Sequence, residues 1–360
     1  MKAAWKGIVI LWGLAGVLLA GGCASMGPGS VTRDRFDYIT VLSNSWKQQM
    51  LLNLLKVRYT DVPVFMDIAS VISAYELTGE VTLQGQFSPP SQRGDTFGSV
   101  GGRGLYSDKP TISYQPLAGE KFTRSLMLPI PIPAVLSLIE SGYAADLVLR
   151  VCVNSINNLN NSYGGQGHPQ AGNPEFLELI TAMREVQTRG GMGMRMKSAK
   201  DKEALVMFLR PSTDEAIAAP LRKIQKLLGI SEEARELNIV YGTYPENEKE
   251  IAMLSRSVLQ VLVDIASYID VPAADLAQGS VYALQRTPEQ ERLFPPLLTV
   301  RCGPSAPENS YVSVKYRNQW FWIEDRDLRS KQIFNFLMFI FSLTETGAGQ
   351  AAPILTIPAR

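Results

Sequence analysis

The chain has 360 residues, of which 46% are hydrophobic, 19% charged and 9% aromatic, with 29 Gly and 22 Pro. That balance is too apolar for a disordered chain and too mixed for a fibrous repeat, and the length suits two or three domains. Lys and Arg total 35 against 34 Asp and Glu, a formal charge of +1 with no long like-charge tract, which excludes a protein held mainly by phosphate contacts and so a nucleic-acid partner.

The amino terminus carries the sharpest signal. Lys2 and Lys6 flank the start of an apolar run from Gly7 to Ala20, and the small residues Ala20-Gly21-Gly22 lead into Cys23. The run is shorter than the roughly 20 apolar residues that a membrane-crossing helix needs, and it sits where an export signal belongs. This segment resembles the lipobox of bacterial lipoproteins, in which small residues precede a cysteine that is acylated and becomes the first mature residue. The resemblance implies that residues 1–22 are a signal peptide. It also implies that Cys23 carries a diacylglycerol group and a palmitate-type chain, and that the lipid bilayer is the first partner. Each buried methylene contributes about 0.8 kcal/mol, so several acyl chains anchor a body that has no span of its own. In Gram-negative lipoproteins Asp after the acylated cysteine favours the inner membrane. Here the residue is Ala24, and the resemblance implies the periplasmic face of the outer membrane, within the cell envelope. Residues 23–32 form the acylated start and a short tether, of which Ser25 to Ser30 reach about 20 Å at most. Removing Lys2 and Lys6 from the 35 basic residues leaves 33 against 34 acidic ones, a nearly neutral mature body.

Along the body, Phe36, Ile39, Leu42, Trp46, Met50, Leu54 and Leu55 recur at helical spacing. They predict an amphipathic helix over 35–58 with its stripe in the core, ended by Tyr59-Thr60-Asp61-Val62-Pro63. A strand start at Val64, a short helix over 67–73 and an alternating extended segment from Tyr75 to Gln86 follow. The Gly-rich stretch between Pro89 and Pro110 reads as a polar loop without the Gly-Lys-Ser/Thr of a phosphate cradle. Thr111 to Tyr114 reads as a strand. Pro129, Pro131 and Pro133 mark an extended segment that opens a helix over 134–141. Branched apolar residues in 146–153 predict a strand, and the amide-rich tract 154–161 an exposed loop. Helices are expected over 175–189, after Asn173 and Pro174, over 217–228, ended by Gly229, and over 248–269. The exit of the last, Tyr268-Ile269-Asp270-Val271-Pro272, echoes that of the first helix. Strands are expected at 205–209, 297–302, 311–316 and 319–323, the last two joined at Arg317-Asn318. An apolar helix over 333–343, too short to cross a membrane, completes the pattern.

The fold class is therefore α+β, mixed helices and strands with an amphipathic N-terminal helix and a C-terminal β-hairpin followed by an apolar helix. Two α+β regions, 33–210 and 211–360, are the expected division.

The catalytic inventory is thin. His168 is the sole histidine, which excludes zinc sites with two imidazoles, and it lies in the turn Gly167-His168-Pro169 without a nucleophile elbow around it. No metal or other cofactor is expected. Cys152 and Cys302 form an even pair in a compartment that permits oxidation, and either a disulfide or two separately buried thiols fits them. Glu140 with Asp146, and Glu324 with Asp325 and Asp327, are the carboxylate groupings on which a hydrolase would have to draw. Met192, Met194 and Met196 suit an adaptable apolar site, and Trp320 with Trp322 share one strand face. The expected function is non-catalytic binding or assembly by a membrane-anchored envelope lipoprotein with a protein partner. The alternative is a periplasmic small-molecule carrier or transport-accessory lipoprotein, with a carboxylate-based hydrolase less favoured.

Overall fold

Ser30–Arg58 forms helix α1, with Lys56 and Arg58 in its last turn, where they complement the helix dipole. The computed structural model in which it is seen describes residues 30–72, 75–86, 97–108, 111–165, 169–199, 202–284 and 287–345. Met50, Leu51, Leu54, Leu55 and Val57 are buried, whereas Phe36, Ile39 and Trp46 are exposed. The expectation of a core-facing stripe therefore holds for the second half of α1 only.

The chain divides into two compact units, one comprising Val64–Phe122 and the other the chain on either side of it. In the first lie β1 (Met66–Ile72), β2 (Tyr75–Gln86), β3 (Phe97–Asp108), β4 (Thr111–Pro116) and the short α2 (Gly119–Phe122). β1 pairs with β4 and β2 with β3, both antiparallel. The short helix expected over 67–73 is strand as far as Ile72, and the loop expected from 89 to 110 contains β3. Gly98, Gly101, Gly102 and Gly104 weaken the local strand signal of β3, and a ladder along all of β2 supplies what propensity lacks. Residues 89–96 and 109–110 of that expected loop lie outside the described residues.

The second unit continues through a π-helical turn (Thr123–Met127), α3 (Ile132–Glu140), α4 (Ala145–Cys152), β5 (Val153–Ile156) and β6 (Leu159–Asn160). Then come α5 (Pro174–Thr188), β7 (Met192–Ala199), β8 (Lys202–Leu209), α6 (Glu215–Leu228), β9 (Glu236–Tyr241), β10 (Glu250–Ser255) and α7 (Val258–Ser267). The chain closes with α8 (Ala273–Ala277), α9 (Pro288–Leu293), β11 (Arg301–Gly303), β12 (Ser310–Tyr316), β13 (Gln319–Glu324) and α10 (Leu328–Glu345). A six-stranded sheet runs β6-β5-β10-β9-β8-β7, and a three-stranded sheet runs β11-β13-β12. The boundary expected after residue 210 cuts across the larger sheet, because β8 pairs directly with β9.

Three further differences have local causes. The expected strand over 146–153 is mostly helix α4, with Val148, Leu149, Val151 and Cys152 all buried, and an apolar run that short has no period to tell helix from strand. The expected helix over 248–269 is β10 followed by α7. The break falls where the Ser257 hydroxyl accepts from the Gln260 backbone N–H and the Gln260 side chain accepts in return from the Ser257 N–H, a reciprocal cap. The amide tract makes the β5–β6 hairpin, with Asn157 at φ 43° and Asn158 at φ 64°, the left-handed pair that a two-residue turn requires. Arg317 and Asn318 do the same between β12 and β13.

Candidate functional site

Three large apolar side chains on the N-terminal part of α1 form the first exposed surface. Phe36 is 64% exposed, Ile39 51% and Trp46 46%. At about 3.6 residues per turn these three lie on the same side as buried Met50, so the apolar stripe continues past the edge of the core. The other end of α1 is fixed. The Arg58 guanidinium donates to the Ile269 carbonyl at 3.3 Å and the Tyr282 carbonyl at 2.8 Å. The two similar helix exits thus meet, one bonding the backbone of the other. Tyr59 donates to Asp275 Oδ2 at 2.5 Å, and burial, reinforced by that bond, raises the pKa of its hydroxyl. Asp61 accepts from the Tyr316 hydroxyl and from Arg317, and the Tyr316 bond holds its carboxyl below the ordinary range. The Arg317 guanidinium lies 4.6 Å from the Tyr59 ring centroid, which ties helix, hairpin turn and α8 together.

The β2–β3 ribbon is the second surface. It is a sheet of two strands, and among the described residues no third strand pairs with either edge.

A buried polar centre lies between α7 and the chain after β6. Arg256 and Asp264, 1% and 0% exposed, pair at 3.0 Å. Asp264 Oδ1 also accepts the Gly164 N–H at 2.6 Å, and Arg256 donates to the Ser162 carbonyl at 2.5 Å. A Cβ at Gly164 would stand 1.8 Å from Ser267 Oγ, so only glycine lets the backbone approach this closely. Arg150, also buried, donates to Asn161 Oδ1 at 2.8 Å and Ser162 Oγ at 3.0 Å, with the Phe294 ring 5.1 Å from its guanidinium carbon. Its outer side borders an open cleft of about 450 Å³, walled by Leu147, Leu177, Ile180, Leu297 and Ile333 and edged by Asp146, Arg329 and Gln332. Asp146 is half-exposed, and its Oδ1 stands 3.9 Å from Arg184 Nε, outside hydrogen-bond reach.

The carboxylates singled out in the sequence hold the framework. Glu140 accepts the Met194 N–H at 2.8 Å, Glu324 pairs with Arg301 at 2.7 Å and Asp325 with Lys331 at 2.7 Å. Asp327 accepts the Ser330 N–H at 3.0 Å and the Ser330 hydroxyl at 2.6 Å, capping α10. Cys152, buried, and Cys302, half-buried, are both free thiols. Burial pushes the Cys152 pKa up to about 12 and raises that of Cys302. Trp320 and Trp322 are half-buried on the face of β13 opposite buried Phe321 and Ile323, and Trp322 packs over Gly303. Met192, Met194 and Met196 lie on β7, opposite Leu209, Met207 and Leu205 of β8; Met192 and Met194 are half-buried. Cys23 and His168 lie outside the described residues.

The buried groups Arg150, Arg256 and Asp264 were not singled out from the sequence. Arg256 and Asp264 did leave a mark there, as opposite charges eight residues apart inside an otherwise apolar stretch. Among the described residues no cluster of three or more His, Cys, Asp or Glu is placed to hold a metal ion, and no helix is long and apolar enough to cross a membrane. No family model matches the chain, and neither a curated protein nor a solved structure matches it.

Proposed function

We propose that this chain is a membrane-anchored cell-envelope lipoprotein that works by binding and assembly, without catalysis. The observation that carries the reading is the apolar stripe of α1, which leaves the core at Met50 and runs exposed through Trp46 and Ile39 to Phe36. An exposed row of large apolar side chains of this kind, on a chain of near-zero net charge, favours a docking contact. Its place supports the membrane setting, because α1 begins at Ser30, a few residues beyond Cys23. Acylation of Cys23 would hold that end of the helix close to the lipid surface of the outer membrane, on its periplasmic face. The fixed end at Arg58, Tyr59 and Asp61 would then set the direction in which the stripe is offered to an envelope partner.

The cleft beside Arg150 and Arg329 favours a second reading, a carrier or transport-accessory lipoprotein for a small amphipathic anion. Intact-mass analysis of the natural protein, extracted in mild detergent, tests the anchor and the carrier together. The expected product begins at Cys23 and carries three acyl chains, and a retained small molecule would move weight to the carrier. An unmodified Cys23 still joined to residues 1–22 would overturn the lipoprotein reading.

A further inference from the structure

We propose that the β2–β3 ribbon is a stave of a membrane-spanning β-barrel closed by several copies of this chain, with one face against lipid and the other against an aqueous lumen. This inference rests on the outer-membrane reading above and names the partner of the assembly as further copies of the chain itself.

β2 and β3 pair without interruption from Tyr75↔Asp108 to Gln86↔Phe97. The three rows of β1 and β4 from Ser70 to Ile72 keep the same register, since Ile72 pairs with Thr111 and, three residues further along each arm, Tyr75 pairs with Asp108. Opposed residues share a face, so the ladder sorts the sequence into two sets. One face takes the rows Tyr75 with Asp108, Leu77 with Tyr106, Gly79 with Gly104, Val81 with Gly102, Leu83 with Val100, and Gly85 with Gly98, and its one charge, Asp108, falls in the end row. The other takes Glu76 with Ser107, Thr78 with Leu105, Glu80 with Arg103, Thr82 with Gly101, Gln84 with Ser99, and Gln86 with Phe97, and is polar but for Leu105 and Phe97. Thr78, Glu80, Thr82 and Arg103 are exposed. Glu80 and Arg103 stand directly opposite each other, an oppositely charged pair on the polar face.

An isolated two-stranded ribbon is marginal in water, and its two edges each present a row of backbone donors and acceptors. Packing the apolar face on some other surface would leave those edges open. Closure with neighbouring copies pairs both edges at once, and in lipid it is the only arrangement of strands that leaves no backbone group unsatisfied. The length agrees. Each strand has 12 residues. At about 3.4 Å per residue and a tilt of about 45°, a strand of that size rises about 29 Å, close to the hydrocarbon thickness of a bilayer. The composition agrees as well. Gly79 opposite Gly104 and Gly85 opposite Gly98 are spaced glycine pairs, which permit the curvature a barrel needs, and Tyr75 and Tyr106 occupy the last two rows at one end of that face, with Asp108 in the end row, at the level where barrels carry an aromatic girdle and meet water. Two strands cannot close alone, and the smallest such barrels have about eight, so a closed assembly takes about four copies or more.

The test uses the full-length protein in its native envelope with Cys302→Ser as background. Single cysteines replace Leu77, Val81 or Leu83 on one face and Thr78, Thr82 or Gln84 on the other, and each variant meets a water-soluble maleimide. The expected result is labelling that alternates with sequence position: Thr78, Thr82 and Gln84 variants react, and Leu77, Val81 and Leu83 variants do not. Val81→Asp is expected to abolish the detergent-extracted oligomer, and Thr82→Asp, the same chemistry one residue away, to leave it intact. Persisting protection of Cys152 in both shows that the rest of the chain is folded. A monomeric, acylated chain with all six positions labelled alike overturns the barrel and leaves the anchor standing. Alternating labelling in an oligomer whose Cys23 bears no lipid overturns the anchor and leaves the barrel.

Discussion

Asp264 is the residue on which the second unit's polar centre turns. Its carboxylate faces the Arg256 guanidinium at 3.0 Å with both groups out of water, and it also satisfies the Gly164 N–H. Asp264→Asn keeps an acceptor for Gly164 but leaves a buried guanidinium without its counter-charge. That change is expected to cost about 3–5 kcal/mol, seen as a lower denaturant midpoint. Adding Arg256→Met should recover part of the loss, because the desolvated cation then disappears with its partner. Recovery of nothing in the double variant would mean that the Ser162 carbonyl bond, and not charge balance, holds the centre together. The sequence showed both charges in an apolar run. It did not show that they point inward, because pairing them required Ser162 and Gly164 to arrive from a hundred residues upstream.

Elements were legible where a periodic pattern or a cap was strong and illegible where a distant ladder overruled local preference. α5 was readable because Asn173 and Pro174 precede an apolar period through Phe176, Leu179, Ile180 and Met183, all buried. α6 was readable for the same reason, ending at Gly229 with φ 66°. β3 was not, since its glycines become strand only by pairing with β2. α10 adds a prediction at this scale. Ser330, through its hydroxyl and its backbone N–H, holds the Asp327 carboxyl below the ordinary carboxylate range. A folded pKa below the unfolded one means that the cap's contribution is complete above the unfolded value. It is lost as pH falls through the folded value. Asp327→Ala should therefore cost about 1 kcal/mol at neutral pH and progressively less in acid. Urea midpoints of the two proteins across pH 7 to 2 measure this, and a gap that stays constant with pH would refute the cap as its source.

At the scale of the molecule, the thiols report on how the second unit opens. Cys152 sits at the junction of α4 and β5, fully buried, with its pKa pushed up to about 12, whereas Cys302 lies half-buried on β11. At pH 8 an alkylating reagent should modify Cys302 in the folded protein, slowly because its own pKa is raised, and reach Cys152 only at the rate at which the unit unfolds globally. Equal rates at the two sites would show that the sheet opens locally at β5. By itself the sequence determined the mixed class of the fold, the existence of its best-capped helices, the alternation of β2 and the small-residue approach to Cys23, because each is a local pattern of side-chain type along one stretch of chain. The tertiary structure alone decided that half of the α1 stripe lies outside the core, that the glycine-rich stretch holds the strand that pairs along all of β2, and that Arg150, Arg256 and Asp264 are interior. Those properties depend on which distant segments come to lie alongside, and burial and pairing are relations between segments that no single window of residues contains.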